Sequence, residues 1–436
     1  MNQQLPLNIE GLEAYQTKLE GASSAWLKDF RRKSFDQWTS VSMPTVKDEE
    51  WKYLSLADIV SRRFKLATRH QLIESKQFES FRDKADINIV LVNGGLWGEL
   101  SDLNHLPQGL TVSSLNKALA HPVAQVQETI SKITPNDTKA FLWINQALFL
   151  DGVFVHVAKE AVIEPVVHII HLTSGVEPGT IVFPRSFIMA EESSQIEIME
   201  SYISFEPVLY LSNAVTDMKV AANALVGYCR AQAESRQAIH IGSTRIWQET
   251  QSSLDSFSFT SGGEMTRNNL SVLIKGEGAN TIMNGLYGLD GHQQVDNHTL
   301  LDIQHPHCTG YQLYKGLLNE SSRAIFNGKI FVHPVAQKTN AYQLNKHLLL
   351  GNQARVDTKP QLEIFADDVK CTHGATIGQL NEDEIFYLQS RCIPKSMAIQ
   401  LLSKGFIDDS INTIKNASIR SRLSRLLSKK FPEVKL

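Results

Sequence analysis

The sequence lacks the features that identify secreted and membrane proteins. It has only four cysteines in 436 residues and no CxxC pair, so no disulfide framework is predicted and reduced thiols in the cytoplasm are expected. No apolar run reaches the roughly 18 residues that a membrane span requires. The first fifteen residues have neither a cationic start nor an apolar core, so no signal or transit peptide is predicted.

The sequence also lacks the short motifs of common catalytic classes. No GxxxxGK[ST] is present, and Gly276-Glu277-Gly278 is not followed by the rest of a dinucleotide fingerprint, so no bound nucleotide is expected. There is no GxSxG and no HExxH. The formal net charge of −3 provides no basic field for nucleic acid or anionic lipid, so neither is an expected partner.

The chain divides into three segments that differ in their pattern of apolar and polar residues. Residues 1–147 mix helical periodicity with the apolar run Ile87–Val92, which reads as a strand entering a turn, and a mainly helical domain is predicted. Residues 148–380 contain short β-rich runs separated by polar turns. Residues 381–436 have helical periodicity and predict a small helical domain.

The β-rich segment leaves no room for crossover helices. Its runs include VVHIIHL, SFIMA, QIEIMESYI, NLSVLIKG, AIFNGKIFVH, HLLLG and QLEIFA. More than 200 residues of this kind are compatible with a sandwich, a barrel or a solenoid, and the pattern weakly favours a solenoid. Asn284-Gly285, Asn327-Gly328 and Gly351-Asn352 are predicted to lie where the chain bends.

Capping residues predict three helices in the last segment. Asn381 followed by three acidic residues is a good helix start. Pro394 suits the first turn of a second helix, and Gly405 its end. Asp409-Ser410 is the predicted cap of a third helix.

Two short strings combine metal-binding residue types. His305-Pro306-His307-Cys308 offers imidazole and thiol, but no second cluster lies nearby in sequence, so a structural role is favoured. Cys371 and His373 are two residues apart, which on a strand places them on one face about 6–7 Å apart. Lys370 beside them would favour a thiolate. These two residues would form half of a four-ligand iron site, and a buried thiol beside a structural histidine is the plainer interpretation.

The remaining cysteines and the scattered acids carry weaker expectations. Cys229 lies among apolar residues and is interpreted as a core thiol, and Cys392, at a helix end, as a packing residue. A pair of acids on a solenoid would suit polysaccharide chemistry, although solvated turn acids are the favoured interpretation. The acids concerned are Asp217, Asp255, Asp290, Asp296 and Asp302.

Long strings in the second half resemble the SufB/SufD family of the SUF iron–sulfur cluster assembly system. The strings are NGLYGLDGHQQVDNHT, HPHCTGYQLYKGLL, IFNGKIFVHPVAQKTNAYQLNKHLLL, VDTKPQLEIFADDVKCTHGATIGQL and DEIFYLQSRCI. Residues 49–53, EEWKY, resemble the N-terminal signature of the family. KPQLEIFADDVKCTHGAT and FYLQSR resemble SufD more than SufB, and Cys392 stands where that pattern has glycine.

The resemblance implies a fold and a set of partners. It implies a right-handed parallel β-helix between N-terminal and C-terminal helical domains, pairing with SufB through the β-helices and binding a SufC ATPase through the C-terminal domain. The chain would then be a non-catalytic scaffold, with nucleotide chemistry on SufC. His373 is implied as an iron or cluster ligand at the SufB interface, and Cys371 as an accessory thiol there.

Other expectations follow from the same resemblance. Contact with SufC is expected at the second C-terminal helix, where the candidates are Leu401, Leu402, Lys404 and Phe406; packing inside the helical domain is the alternative for the two leucines. The cargo would be a transient iron–sulfur cluster or iron. A homodimer without SufB, a flavin in the complex and a purely structural role beside SufB stay open.

Overall fold

The computed structural model describes residues 6–21, 23–67, 78, 81–120, 124–134 and 138–430. Two 3-10 turns cover Glu49–Trp51 and Gly98–Leu100. The described α-helices, numbered α1 to α9 in chain order, are Leu12–Gly21, Ala25–Thr39, Ala57–Ser61, Leu115–Ala120, Ala124–Ile130, Lys139–Leu148, Glu382–Gln389, Lys395–Ile411 and Ala417–Lys430.

The strands are numbered β1 to β22 in the same way. They are Asn8–Glu10, Arg63–Leu66, Ile87–Val92, Gly95–Leu96, Leu110–Ser114, Val153–Val157, Val162–Thr173, Thr180–Val182, Arg185–Ala190, Gln195–Ser204, Tyr210–Val220, Leu225–Ala233, Ile239–Gln248, Ser253–Thr260, Met265–Ile274, Asn280–Leu289, Gln294–Ile303, Thr309–Leu318, Arg323–Val332, Asn340–Leu349, Arg355–Ile364 and Lys370–Gln379.

Successive strands from β10 to β22 alternate between two sheets, which makes the middle of the chain a parallel β-helix. Each strand pairs in parallel with the strand two places later, and the two sheets contain twelve and ten described strands. The strand starts in the ten-stranded sheet advance by 27 to 31 residues per coil, from Gln195 to Lys370. The predicted solenoid is therefore confirmed, with about 8 turns. The uneven coil length explains why no strict repeat is visible in the sequence.

Two predicted turns are wrong because their glycines lie inside strands. Asn284-Gly285 belongs to β16 and Asn327-Gly328 to β19. A Cβ at Gly285 would lie 2.3 Å from the Tyr314 ring, and one at Gly328 would lie 2.3 Å from Gln343 Nε2. These glycines make room for large side chains inside the β-helix. The third predicted turn, Gly351-Asn352, does lie between strands.

The N-terminal segment packs on the outer face of the twelve-stranded sheet and shares an apolar core with it near its start. The predicted strand Ile87–Val92 is β3, and it pairs with β7 in the other sheet. Helix α6 is buried from Ala140 to Leu148 and shares a hydrophobic core with α2. Five described strands, β1 to β5, lie within residues 1–147 and join the two sheets, so this segment is built into the β-helix as well as packed on it. The predicted domain boundaries at residues 147 and 380 stay predictions.

The C-terminal helices cover the outer face of the ten-stranded sheet. Asn381 caps α7 as predicted, because its side chain accepts a hydrogen bond from the Asp383 N–H at 2.9 Å. The predicted end at Gly405 is wrong, because α8 continues through it to Ile411. Asp409 therefore lies inside α8, where its carboxylate pairs with Lys315 at 2.8 Å. The third helix is capped instead by Asn416, whose oxygen accepts from the Ser418 N–H at 3.0 Å.

Candidate functional site

The β-helix ends in an open coil formed by β21 and β22. These strands are the last members of the path through each sheet, so among the described strands each has a neighbour on one side only. Every residue of β22 is exposed or half-buried, whereas most residues of β18, two coils away on the same sheet, are buried. The terminal coil is therefore the place where the interior of the β-helix meets its surroundings.

Cys371 and His373 face the interior of the β-helix at this open coil. Their register partners on β20 are Ala341 and Gln343, and both partners are buried, at 1% and 0% exposure. Register partners on neighbouring parallel strands present their side chains on the same face. Cys371 and His373 thus continue two columns of interior side chains, as their spacing predicts, and stand on one face of the strand.

The two side chains differ in environment. His373 is exposed, and Cys371 is half-buried and packs against the apolar interior core, as Leu362 and Ile364 also do. Burial raises the pKa of the Cys371 thiol above its ordinary value, with a backbone hydrogen bond from Ala341 acting in the other direction. The expectation that Lys370 favours the thiolate is wrong, because adjacent strand residues point to opposite faces.

The string His305-Pro306-His307-Cys308 forms a turn between β17 and β18. Cys308 is fully buried, with Sγ 3.3 Å from the Pro306 carbonyl oxygen, and burial raises its thiol pKa. His305 and His307 are exposed, and His307 has a left-handed φ of 60°. The imidazoles and the thiol therefore face different environments. Within the described part of the chain, no group of three or more His, Cys, Asp or Glu side chains is arranged to hold a metal ion.

The other two cysteines, Cys229 and Cys392, differ in burial. Cys229 is buried in the core that the C-terminal helices share with the sheet, and burial raises its thiol pKa, which confirms the core interpretation. The packing interpretation of Cys392 is wrong, because this residue is exposed. Its φ of 64° is one that glycine adopts without strain, which explains why glycine is expected there.

Three of the five acids that were expected to be solvated are buried. Asp217 is paired with Arg185 and Arg245, and Asp296 with Arg267. Asp302 is 6% exposed and accepts from His333. The solvated interpretation is wrong for these three. Arginines compensate the charges of Asp217 and Asp296 in the interface between the sheet and the N-terminal cover, and Asp302 is held by the hydrogen bond from His333. Asp255 pairs with Lys415, and Asp290 with Arg236 and Lys430.

The EEWKY string lies on the outer face of the twelve-stranded sheet near the open coil. Glu50 accepts hydrogen bonds from Asn327 at 2.9 Å and from His298 Nδ1 at 3.1 Å. The Trp51 ring lies 4.4 Å below the Arg267 guanidinium. Glu49 pairs with Lys359 of the edge strand β21. The sequence gives this string no visible function. In the structure its contacts reach β15, β17, β19 and β21, so it fastens the N-terminal segment to the last four strands of this sheet.

The four helix residues expected at a partner surface are not equally accessible. Leu401 is 47% exposed, whereas Leu402, Lys404 and Phe406 are half-buried. The Phe406 ring lies 4.7 Å from Lys315 Nζ and belongs to the core between helix and sheet. Three large apolar side chains that sequence reasoning did not select are more exposed than Leu401: Phe386 at 71%, Tyr387 at 56% and Met397 at 49%.

Comparison with known proteins assigns the family. The model for the SUF system FeS cluster assembly SufBD core domain matches residues 171–406, and the model for the SufBD N-terminal region matches residues 9–169. The chain belongs to the SufBD family. The core match includes the whole open coil and most of α8, and the N-terminal match includes the EEWKY string.

Three relatives show how far the SufBD similarity extends. An iron–sulfur cluster assembly SufBD family protein of Synechocystis is 32% identical, covering 95% of this chain and 93% of its own length. The iron–sulfur cluster assembly protein SufD of Escherichia coli is 28% identical over 91% of each chain. SufD of Bacillus subtilis is 24% identical over 98% of each.

Family membership decides the coarse function of this SufBD chain. It is a component of SUF iron–sulfur cluster assembly. This assignment replaces the interpretation of the solenoid as a polysaccharide-active enzyme. Among the described helices, none is both long and apolar enough to cross a membrane.

Proposed function

We propose that this chain is the SufD-type scaffold subunit of a SUF complex, without catalytic activity of its own. It pairs with SufB through its open coil, presents His373 and Cys371 to a nascent iron–sulfur cluster, and binds a SufC ATPase that carries the nucleotide chemistry. The cluster, or iron on its way to one, is cargo that arrives and leaves. The four unpaired thiols suit the cytoplasm as the compartment.

The observation that carries this proposal is the unprotected edge of β22 beside two metal-binding side chains. Isolated edge strands usually carry charges, proline or a bulge that prevent pairing with another chain. The ten residues of β22 pair with β20 in unbroken register and include no proline. Its outward side chains after Lys370 are small and uncharged: Thr372, Gly374, Thr376 and Gly378. Such an edge favours addition of a strand from a second protein.

The other edge strand is less suited to strand addition. β21 contains Pro360, which has no N–H to donate. Its charged side chains are engaged with this chain's own neighbours, as Asp357 is with Arg323 and Glu363 with Lys329. The open coil thus has one edge strand that is free to pair, β22, and one whose side chains already contact this chain, β21. A homodimer through the same β22 edge is the expected form when SufB is absent.

The chemistry of the open coil suits a shared and temporary cluster site. Thiolate and imidazole are both competent ligands of iron, and clusters commonly take four protein ligands. His373 and Cys371 supply two, so SufB would supply the others. The raised pKa of the Cys371 thiol makes His373 the stronger candidate ligand, because a protonated thiol binds metal poorly.

The C-terminal helices carry the surface that we assign to SufC. Leu401 belongs to it together with Phe386, Tyr387 and Met397, which form an exposed apolar set on α7 and α8. Large exposed apolar side chains on neighbouring helices are typical of protein interfaces. Leu402, Lys404 and Phe406 are candidates at its margin, since each is half-buried.

A His373→Ala variant tests the proposal in the complete complex. The side chain is exposed and makes no contact on which the fold depends, so the variant should assemble with SufB and SufC at the wild-type ratio. Cluster formation from iron and sulfide, followed by absorbance and Mössbauer spectroscopy, should fall at least tenfold. His305→Ala, which removes another exposed imidazole from the turn before β18, is the matched control and should keep wild-type assembly.

The second candidate function is a purely structural stabiliser of SufB that binds no cargo. It is favoured by the half-buried position of Cys371, which packs like a core residue. It predicts that a Cys371→Ser/His373→Ala double variant assembles clusters as wild type does. That result would remove the ligand role and leave only the pairing role of the open coil.

A further inference from the structure

The interior of the β-helix contains a ladder of side-chain amides that runs toward the open coil. Gln343 Nε2 donates to Gln312 Oε1 at 2.7 Å, and Gln312 Nε2 donates to Thr299 Oγ1 on the opposite sheet. Gln343 and Gln312 are register partners on β20 and β18. Both are buried, at 0% and 2% exposure. In this ladder every donor points away from the open coil.

The ladder therefore ends in an acceptor without a partner. Gln343 Oε1 is fully buried and has no hydrogen-bond partner among the described residues. A buried polar atom left in this state costs free energy, and native proteins rarely leave one without a reason. The residue in register with Gln343 on the next strand is His373. Neighbouring strands lie about 4.8 Å apart, which is within reach of a glutamine amide and an imidazole.

The neighbouring interior positions of the same coil do not share this arrangement. Asn345 accepts from Thr358 and donates to the Tyr314 carbonyl, so its amide is satisfied. His347 also has an orphaned nitrogen, Nδ1, but its register partner is Ile377, which cannot donate. Gln343 is thus the position where an orphaned acceptor lies beneath a side chain that carries an N–H.

We propose that Gln343 is a positioning residue for His373. Its carboxamide oxygen accepts the N–H of one imidazole nitrogen, which leaves the lone pair of the other nitrogen directed at the open coil for iron. In the structure the His373 ring makes no hydrogen bond to a described residue, Gln343 included, so the proposed bond forms when the ring turns toward the orphaned oxygen beneath it. This inference rests on the proposed ligand role of His373 and adds the group that selects its tautomer.

The chemical benefit follows from the behaviour of histidine ligands. A metal-binding imidazole usually donates its other N–H to a fixed acceptor, which sets the ring orientation and makes the ligating nitrogen more basic. Removing such an acceptor typically lowers metal affinity by about 10–100-fold. Here the acceptor is held in turn by Gln312 and Thr299, so its position is set before any metal arrives.

The test reads the His373 ring directly in the full-length chain. Protein labelled with ¹⁵N-histidine gives ring-nitrogen NMR signals that distinguish the two neutral tautomers, and a His373→Ala variant assigns the signal among the 14 histidines. Wild type should show a single His373 tautomer. Gln343→Met, which keeps the length of the side chain, should give a tautomer mixture, and Gln343→Glu should restore one form because a carboxylate oxygen also accepts.

Gln361→Leu is the matched control. Gln361 lies at the same open end on β21, but its amide donates to Asn327 on the outer face, so its loss should leave the His373 signal unchanged. In the complete complex, Gln343→Met should weaken iron binding by about 10–100-fold. The iron affinity of the His373→Ala complex marks the value expected when this ligand is absent.

The inference and the proposed function are overturned by different results. A tautomer mixture in the wild-type chain, or one unchanged tautomer in a folded Gln343→Met chain, overturns the role of Gln343, even if His373→Ala abolishes cluster assembly. Normal cluster assembly by His373→Ala overturns the ligand role, whatever the ring signal shows. If Gln343→Met does not fold, the wild-type signal alone still decides.

Discussion

Replacing Ala375 with proline tests whether the free edge of β22 pairs with a second chain. In the ladder with β20, the Lys370 N–H donates to the Thr339 carbonyl oxygen at 2.9 Å. Backbone groups of successive strand residues point alternately to the two sides, so those of Cys371, Ala375 and Gln379 point to the open edge. Proline at 375 therefore removes an N–H that the chain's own sheet does not use.

The expected size of the effect follows from the number of groups on that edge. Alternate residues along the ten-residue strand offer about five N–H and five C=O groups to a partner strand, and each bond contributes about 1 kcal/mol net. Proline deletes one donor, and its ring pushes the facing strand away from a neighbouring bond. We expect a loss of about 2–3 kcal/mol, which corresponds to a rise of about 30–150-fold in Kd for SufB.

Calorimetric titration of SufB into the chain measures this Kd. Ala375→Ser keeps the N–H and should bind as wild type does. Thr376→Pro removes an N–H directed at β20, so it should lower the stability of the isolated chain, whereas Ala375→Pro should lower it less. An unchanged Kd in a folded Ala375→Pro chain would refute pairing through the β22 edge.

Two further predictions concern the interface between the sheet and its N-terminal cover. Asp217→Asn should lower the free energy of unfolding by about 3–5 kcal/mol in urea titrations, because it leaves the buried cations of Arg185 and Arg245 without their carboxylate; a loss below 1 kcal/mol would contradict this. The hydrogen bond from His298 lowers the pKa of Glu50 below 4.5, so its stabilisation is complete above that pH and is lost as pH falls through the lowered pKa. Thermal unfolding should show Glu50→Gln to be destabilised at pH 6, and the difference from wild type should shrink as the solution is made more acidic.

The β-rich middle could be predicted as strands because its apolar runs are short and turn residues separate them. The solenoid could not be separated from a sandwich or a barrel by residues alone, since coils of 27 to 31 residues leave no fixed period. Gly285 shows why single turns were misplaced. Its dipeptide with Asn284 is typical of a turn, but the packing of the Tyr314 ring from the next coil requires a residue without a side chain there.

The candidate site was also predictable only in part, because local spacing determines some of its geometry and tertiary structure the rest. The spacing of Cys371 and His373 determines that they share a face, but it does not say whether that face is the interior or how exposed it is. Those properties depend on which coil is the last, which follows from tertiary structure. The acids Asp217 and Asp296 were misjudged because their arginine partners lie on other strands, far from them in sequence or on a neighbouring coil.

The position of His373 on the last coil makes its burial conditional on a second chain. Gln343 and Gln312 occupy the same interior column one and two coils earlier, and their amides are covered by the coil that follows each of them. A partner strand on β22 would cover His373 in the same way and remove its water. An imidazole buried without partners costs free energy, so a stable complex requires an acceptor for its N–H and an electrophile for its lone pair. Gln343 Oε1 is available for the first, and iron brought to the interface would satisfy the second.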